Sequence, residues 1–132
     1  MSECLRVLVC GGRDFIDGDF VFSQLSSAFE ALRFKVLIHG GARGADSLAD
    51  AWARGAGVEP CKCEALWQYY RMHSYYKEAG PRRNAAMLVL QPQLVIAFPG
   101  GNGTRDMVNT ARAEGIPVRD MAVAYARLKE PQ

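Results

Sequence analysis

Three apolar runs in this chain each stop at a glycine pair: RVLVC before GGRDF, KVLIH before GGARGAD, and LVIAF before PGGNGT. Each run is β-prone and almost continuously apolar, which predicts a strand buried on both faces rather than one with a wet side. Glycine lets the backbone turn away sharply at the end of such a strand, and a helical pattern follows. The chain is therefore a repeated strand-loop-helix unit. The pairs begin at Gly11, Gly40 and Gly100. That spacing fits βα units of about 30 residues, with a further unit between the second pair and the third.

The intervening unit is read in VEPCKCEAL, residues 58–66, a less regular strand followed by an aromatic stretch and a helix beginning near Pro81. A last strand is predicted at IPV, residues 116–118. Between strands the period is helical: Val21, Leu25, Ala28, Phe29 and Leu32 share one face, and Ala45, Leu48, Ala49, Trp52 and Ala53 share another. Asp17 or Asp19 is read as an N-cap, Pro81 as a first-turn residue, Thr104 as a cap, and Gly57 and Gly115 as C-terminal signals. The pattern implies an α/β fold: a single Rossmann-like domain with a parallel sheet of about five strands and helices on both faces. It is expected to take in residues 1–132, with its core at about 5–118 and a short C-terminal tail. A length of 132 residues at 49% hydrophobic content suits one such core.

Charge and cysteine usage narrow the partners. Sixteen Lys and Arg against 14 Asp and Glu leave a formal charge of +2, without the basic bias of a nucleic-acid footprint, so nucleic acid is not favoured. No run approaches the roughly 18 apolar residues that span a bilayer, and the first residues lack a secretory layout, so a cytoplasmic protein with no membrane partner is expected. The four cysteines are expected to be reduced. Cys61 and Cys63, two apart in a strand, are read as packing on one face rather than holding zinc. No metal and no cofactor is expected.

A parallel sheet brings all three glycine loops to its carboxyl edge, where they converge on one crevice. Glycine backbone approaches a ligand closely, and a helix N-terminus offers unpaired N–H groups, so phosphate is a natural guest. The loops lack the Lys-Ser/Thr ending of a P-loop and the G-x-G-x-x-G spacing, which excludes ATPase and dehydrogenase readings. The candidate ligand-binding residues are Gly11, Gly12, Arg13 and Asp14 in the first loop. The second supplies Gly40, Gly41, Arg43, Gly44 and Asp46, and the third Pro99, Gly100, Gly101, Asn102, Gly103 and Thr104. Arginine grips phosphate through a fork of donors. Asp46 and Asp106 either meet ribose hydroxyls or cap helices, and Asp14 is the more exposed acid. Trp67, among Tyr69, Tyr70, Tyr75 and Tyr76, either stacks on a base or belongs to aromatics buried in the core or a subunit interface; a homo-oligomer is expected. His39 and His73 read as hydrogen-bonded structural residues.

In their order, the segments GGRDF, GGARGADSLADAWA, W-x-x-Y, AGPxRN and PGGNGTRDMV resemble the SLOG superfamily, and in particular its small YspA-like branch, over about residues 5–118. The resemblance implies a Rossmann-like fold that binds a nucleotide or a nucleotide-derived signal such as an ADP-ribose derivative. It also brings Arg83 and Asn84 into the ligand set. Relatives of the LOG phosphoribohydrolase type free a base from a nucleoside monophosphate with the arginine of R-K-x-x-M and the glutamate of PGGxGTxxE. Here Arg83 matches the arginine, Asn84 replaces the lysine, and Met107 stands at the glutamate position. Cleaving an N-glycosidic bond develops positive charge on the ribose, which a carboxylate stabilises and methionine does not. The reading is therefore a binding protein, a sensor or a sequestering one; the second role would suit a phage protein disarming a nucleotide-signalling defence. N-glycosidic hydrolysis, with Arg83, Asp14 and Asp106 as catalytic candidates, is the alternative. Similarity to the DNA-processing branch leaves a third, an adaptor for nucleic acid or protein.

Overall fold

A computed structural model describes residues 4–63 and 79–130. Along the chain run β1 (Arg6–Cys10), α1 (Gly18–Leu32), β2 (Val36–His39), α2 (Ala45–Ala56) and β3 (Glu59–Lys62). They are followed by α3 (Ala79–Val89), β4 (Leu94–Ala97), α4 (Asn102–Ala113), β5 (Val118–Asp120) and α5 (Ala122–Leu128). The strands form one parallel sheet in the order β3-β2-β1-β4-β5. Leu8 at its centre pairs with Ile38 on one side and Val95 on the other.

Strand alternation divides the core into two layers. Val7, Val9, Leu37 and Ile96 pack toward α1 and α2, while Leu8, Cys10, Ile38 and Val95 pack toward Met87 of α3 and Met107 and Val108 of α4. Both sheet faces are covered, which is why residues 7–10, 36–38 and 94–97 of the central strands are apolar throughout.

The helices bury the faces their periodicity predicts. In α1, Val21, Leu25 and Ala28 are buried, with Phe29 and Leu32 packed at the margin. The helix starts at Asp17, whose carboxylate accepts from the Phe20 N–H at 3.1 Å. In α2, Ala45, Ala49, Trp52 and Ala53 are buried, and Gly57 ends the helix at a φ of 76°. The Trp52 indole N–H donates to the Ser26 hydroxyl at 3.0 Å and ties α2 to α1.

Three local expectations are corrected. The last strand forms at Val118–Asp120 rather than at 116–118. Pro117 has no N–H to give a ladder; its carbonyl accepts from Val95 at 2.9 Å, and Val95 pairs with Val118. Thr104 does not cap α4, which begins two residues earlier with Gly101 at its N-cap. The residues beyond 118 complete β5 and form α5 instead of a plain tail. Tyr125 of α5 sets its ring edge-on to Phe15 and Phe20, with centroids 4.8 and 4.9 Å away. Its hydroxyl donates to Asp17 at 3.0 Å, so the helix cap is also the anchor of α5.

Cys61 and Cys63 both lie partly buried against the α3–α4 layer. Among the described residues no group of three or more His, Cys, Asp or Glu side chains is placed to hold a metal ion, and no helix is long and apolar enough to cross a membrane.

Candidate functional site

The strand order reverses between β1 and β4, and a cleft of about 650 Å³ opens there at the carboxyl edge of the sheet. Its floor is Val9 and Cys10 at the end of β1 with Met87 of α3; Gly11, Gly12 and Arg13 form one wall and the start of α4 the other.

In the first two glycine loops, the N–H groups of Gly12, Gly40, Gly41 and Ala42 are taken by the protein itself. Gly12 donates its N–H to the Pro99 carbonyl at 2.9 Å, and its own carbonyl accepts from Phe15 and Ala45. In the second loop, Gly40 and Ala42 donate to one oxygen of Asp46 at 3.1 and 3.2 Å, and Gly41 donates to Nδ1 of His39 at 3.0 Å. Gly44 closes this loop at a φ of 80°, with its α-carbon turned onto the backbone of Gly12 and Arg13, where no side chain fits. Asp46 thus folds the loop back on itself rather than capping α2, whose N-cap is Gly44. His39 is buried, its Nε2–H donating to Asp50 at 2.7 Å while Nδ1 accepts from Gly41, a structural histidine as its place in the sequence suggests.

The third loop is different. Helix α4 begins at Asn102 without a side-chain cap and without an acid in its first turn, so the N–H groups of that turn are offered to the cleft that Gly101, Asn102, Gly103 and Thr104 line. A β-carbon on Gly100 would run into the Thr104 hydroxyl and come within 2.7 Å of the Gly12 nitrogen. On Gly101 or Gly103 it would meet nothing within 4 Å among the described residues, and neither has a positive φ. The fold explains the first glycine and not the other two.

Arg83 and Asn84 bridge the cleft from α3. Arg83 Nη1 donates to the Gly40 carbonyl at 2.8 Å and Nε to Asn84 Oδ1 at 3.1 Å. The Asn84 amide nitrogen donates to the Gly103 carbonyl at 3.1 Å and to Asp106 at 3.0 Å. A β-carbon on Gly40 would strike the Arg83 guanidinium, so the glycine leaves room for that side chain in its present position.

The cleft holds two guanidinium groups, Arg13 and Arg83, and two carboxyls, Asp46 and Asp106. Burial pushes the Asp46 carboxyl above its ordinary range, against the pull of the Ala42 N–H, His39, Arg83 and the Gly40 N–H. Burial, then Asp46 and Asp120, push the Cys10 thiol far up despite Arg83, so Cys10 is a neutral apolar contact and not a nucleophile.

Among the residues expected at the site, Gly11, Gly12, Arg13, Asp46, Arg83, Asn84, Gly101, Asn102, Gly103, Thr104 and Asp106 line the cleft. Gly40, Gly41, Gly44, Pro99 and Gly100 support it from behind through the bonds above. Asp14 and Arg43 do not line it; they pair with each other at 3.3 Å on the exposed surface. Trp67 and the tyrosines around it fall outside the described residues, as does His73. Met107 is fully buried in the α3–α4 layer while Asp106 faces the cleft, so the carboxylate present there is one residue before the family's glutamate position. Val9, Cys10, Ala42 and Met87 line it as well, without belonging to the expected set. Helical spacing alone places Met87 one turn beyond Arg83.

Comparison with known proteins supplies the affiliation. A family model described as the YspA, cpYpsA-related SLOG family matches residues 5–70. The chain is also similar to the "Gene 61 protein" of Mycobacterium phage D29, at 36% identity over 121 residues covering 86% of this chain and 93% of that protein. The matched segment carries the first two glycine loops whose interlock builds the cleft, and the relative extends the likeness across the third, so the chain belongs to the YspA, cpYpsA-related SLOG family.

Proposed function

We propose that this protein binds a nucleotide or a nucleotide-derived signal, such as an ADP-ribose derivative, with a phosphate seated at the start of α4. One observation carries the reading: Gly101 and Gly103 lack side chains where the fold has room for them, and both line the cleft beside uncapped helical N–H groups. A phosphate that must approach the backbone accounts for both glycines. Arg13 and Arg83 supply cations for it, and the apolar floor of Val9, Cys10 and Met87 suits a sugar or base. The role is to sense or sequester the ligand. Similarity to a protein of a mycobacteriophage supports sequestration, in which a host signal is withdrawn by stoichiometric binding.

The test is a melting screen with AMP, ADP, ADP-ribose and cyclic ADP-ribose, since a ligand that binds only the folded state raises its stability with the logarithm of concentration. A rise in melting temperature with at least one is expected. No shift at millimolar concentration, with a shift caused by DNA, replaces this reading with the adaptor.

A second reading, N-glycosidic hydrolysis, is favoured by the Asp106 carboxyl in the cleft next to Asn84 and Arg83. Chromatography of AMP and ADP-ribose after long incubation separates the two. Intact ligand supports binding alone, and multiple-turnover release of base establishes the hydrolase.

A further inference from the structure

Resting on the ligand reading above, we infer that Asn84 is a positioning residue: one buried amide sets both the guanidinium of Arg83 and the carboxylate of Asp106 that a phosphate-sugar ligand would meet. Asn84 is only 4% exposed, and its side chain makes three hydrogen bonds that join three parts of the cleft. Oδ1 accepts from Arg83 Nε at 3.1 Å, which holds the guanidinium so that Nη1 reaches the Gly40 carbonyl. Nδ2 serves the Gly103 carbonyl at 3.1 Å and Asp106 Oδ2 at 3.0 Å, which fixes the first turn of α4 and the acid that follows it. An amide has the acceptor and two donors that this junction needs. An ammonium, the group of the lysine at this place in the LOG motif, has no acceptor for Arg83. Aspartate has the right size and no donor when ionised, and leucine has neither donor nor acceptor.

The two variants Asn84→Leu and Asn84→Asp therefore separate positioning from simple packing. The charged groups around position 84 are Arg83 on its own helix, Asp106 on α4, and Asp46 on α2, whose charge acts on Arg83. In Asn84→Asp, two carboxyls within hydrogen-bonding distance resist ionising together, so the new carboxyl keeps its proton in acid and donates to Asp106 as the amide did. On ionising, it repels Asp106.

Binding of ADP-ribose by calorimetry is the first measurement. Asn84→Leu is expected to weaken it by at least about tenfold, as loss of hydrogen bonds to charged groups implies. Asn84→Asp is expected to approach wild type near about pH 5 and to fall toward the leucine variant near about pH 8. A ratio of Asn84→Asp to wild-type affinity that is flat across this range overturns the proposal.

The second measurement needs no ligand. In labelled protein the Arg83 Nε–H signal, assigned by its loss in Arg83→Lys, is expected to exchange with water at least about tenfold faster in the Asn84→Leu variant. Unchanged exchange overturns the positioning role. If wild type binds no ADP-ribose, the ligand reading fails while the exchange result still decides the role of Asn84. If Asn84→Leu does not fold, Asn84→Asp, which keeps the size of the side chain, is measured by the same signal at both pH values, and an exchange rate whose ratio to that of wild type at the same pH does not change between them overturns it.

Discussion

The backbone N–H of Gly12 lies 2.9 Å from the Pro99 carbonyl, so the loop after β1 and the loop after β4 are held as one piece where the strand order reverses. This bond takes from the first loop a donor that an anion would otherwise meet. His39 and Asp46 take those of the second. On the proposed reading, phosphate then falls to the start of α4, where the N–H groups of the first turn have no side-chain cap.

Alanine at three neighbouring glycines should give opposite outcomes. Gly103→Ala is expected to leave stability unchanged or raise it by up to about 1 kcal/mol, because a helical position gains a better helix former in open space. Gly101→Ala is expected to be near neutral, and both should abolish the melting shift given by nucleotide. Gly100→Ala, whose β-carbon meets the Thr104 hydroxyl and the Gly12 nitrogen, is expected to cost roughly 1–3 kcal/mol. Urea unfolding measures the first effect and ligand titration the second; full affinity in Gly101→Ala and Gly103→Ala moves the phosphate elsewhere.

Restoring the family's acid is expected to damage the fold rather than create activity. Met107 has no exposed surface, so Met107→Glu puts a carboxylate into the layer between α4 and the sheet, a loss of roughly 3–5 kcal/mol or a neutral, protonated side chain. Asp106→Asn, at the cleft, is expected to fold normally and to lower ligand affinity. A stable Met107→Glu protein that releases free base shows the opposite.

The His39–Asp50 contact is expected to hold the second loop in shape. His39→Leu leaves the Gly41 N–H and the Asp50 carboxylate each without this partner, at a cost of about 2–4 kcal/mol in urea unfolding. A loss below about 1 kcal/mol would mean that water or a shift of the loop replaces both bonds.

Asp46 predicts a direction with pH. Its folded-state pKa lies above the unfolded value near about 3.9, so its contribution is fully present below that pH and is lost as pH rises through the folded value. Asp46→Asn cannot ionise. The stability of wild type relative to this variant is therefore expected to decline as pH rises above about 4 and then to level off. Melting temperatures of both proteins across this range decide it, and a constant gap contradicts the burial effect. Asp17 and Asp50 act in the opposite sense. The Phe20 N–H, followed by Tyr125 and Lys129, lowers the Asp17 carboxyl. Burial raises Asp50, but Arg54 and His39 bring it below its usual range. Both contribute stability above about pH 3.9 that is lost as pH falls through their folded values.

The sheet was legible because strands wrapped on both faces leave uniform apolar runs, and RVLVC, KVLIH and LVIAF have no other use for such composition. Edge strand β5 was misplaced because Arg119 and Asp120 are exposed and carry no apolar signal, while Pro117 marked a strand it cannot join. The start of α4 was hidden by Gly101 and Gly103, residues that ordinarily argue against a helix. At the site, the convergence of the three loops followed from parallel topology alone. Which loop keeps its N–H groups did not, because the partner of Gly12 is Pro99 on the loop after β4, a neighbour only in the fold, and those of Gly40, Gly41 and Ala42 lie across a turn with positive φ at Gly41 and Gly44. Asp14 looked available as an acid; its partner Arg43, 29 positions away, becomes a neighbour only in the fold.

The placing of β1 between β2 and β4 has a consequence for how the chain matures. As the polypeptide leaves the ribosome, β1, β2 and β3 can associate early, but the far side of β1 waits for Leu94–Ala97. Until then Val7, Leu8 and Val9 present an unpaired apolar edge, the kind of surface that invites non-native pairing. The cleft has no existence in that half-made sheet, because one of its walls has yet to be translated. A ligand held there as proposed cannot assist the early stages of folding; it selects only chains in which the second half has already docked.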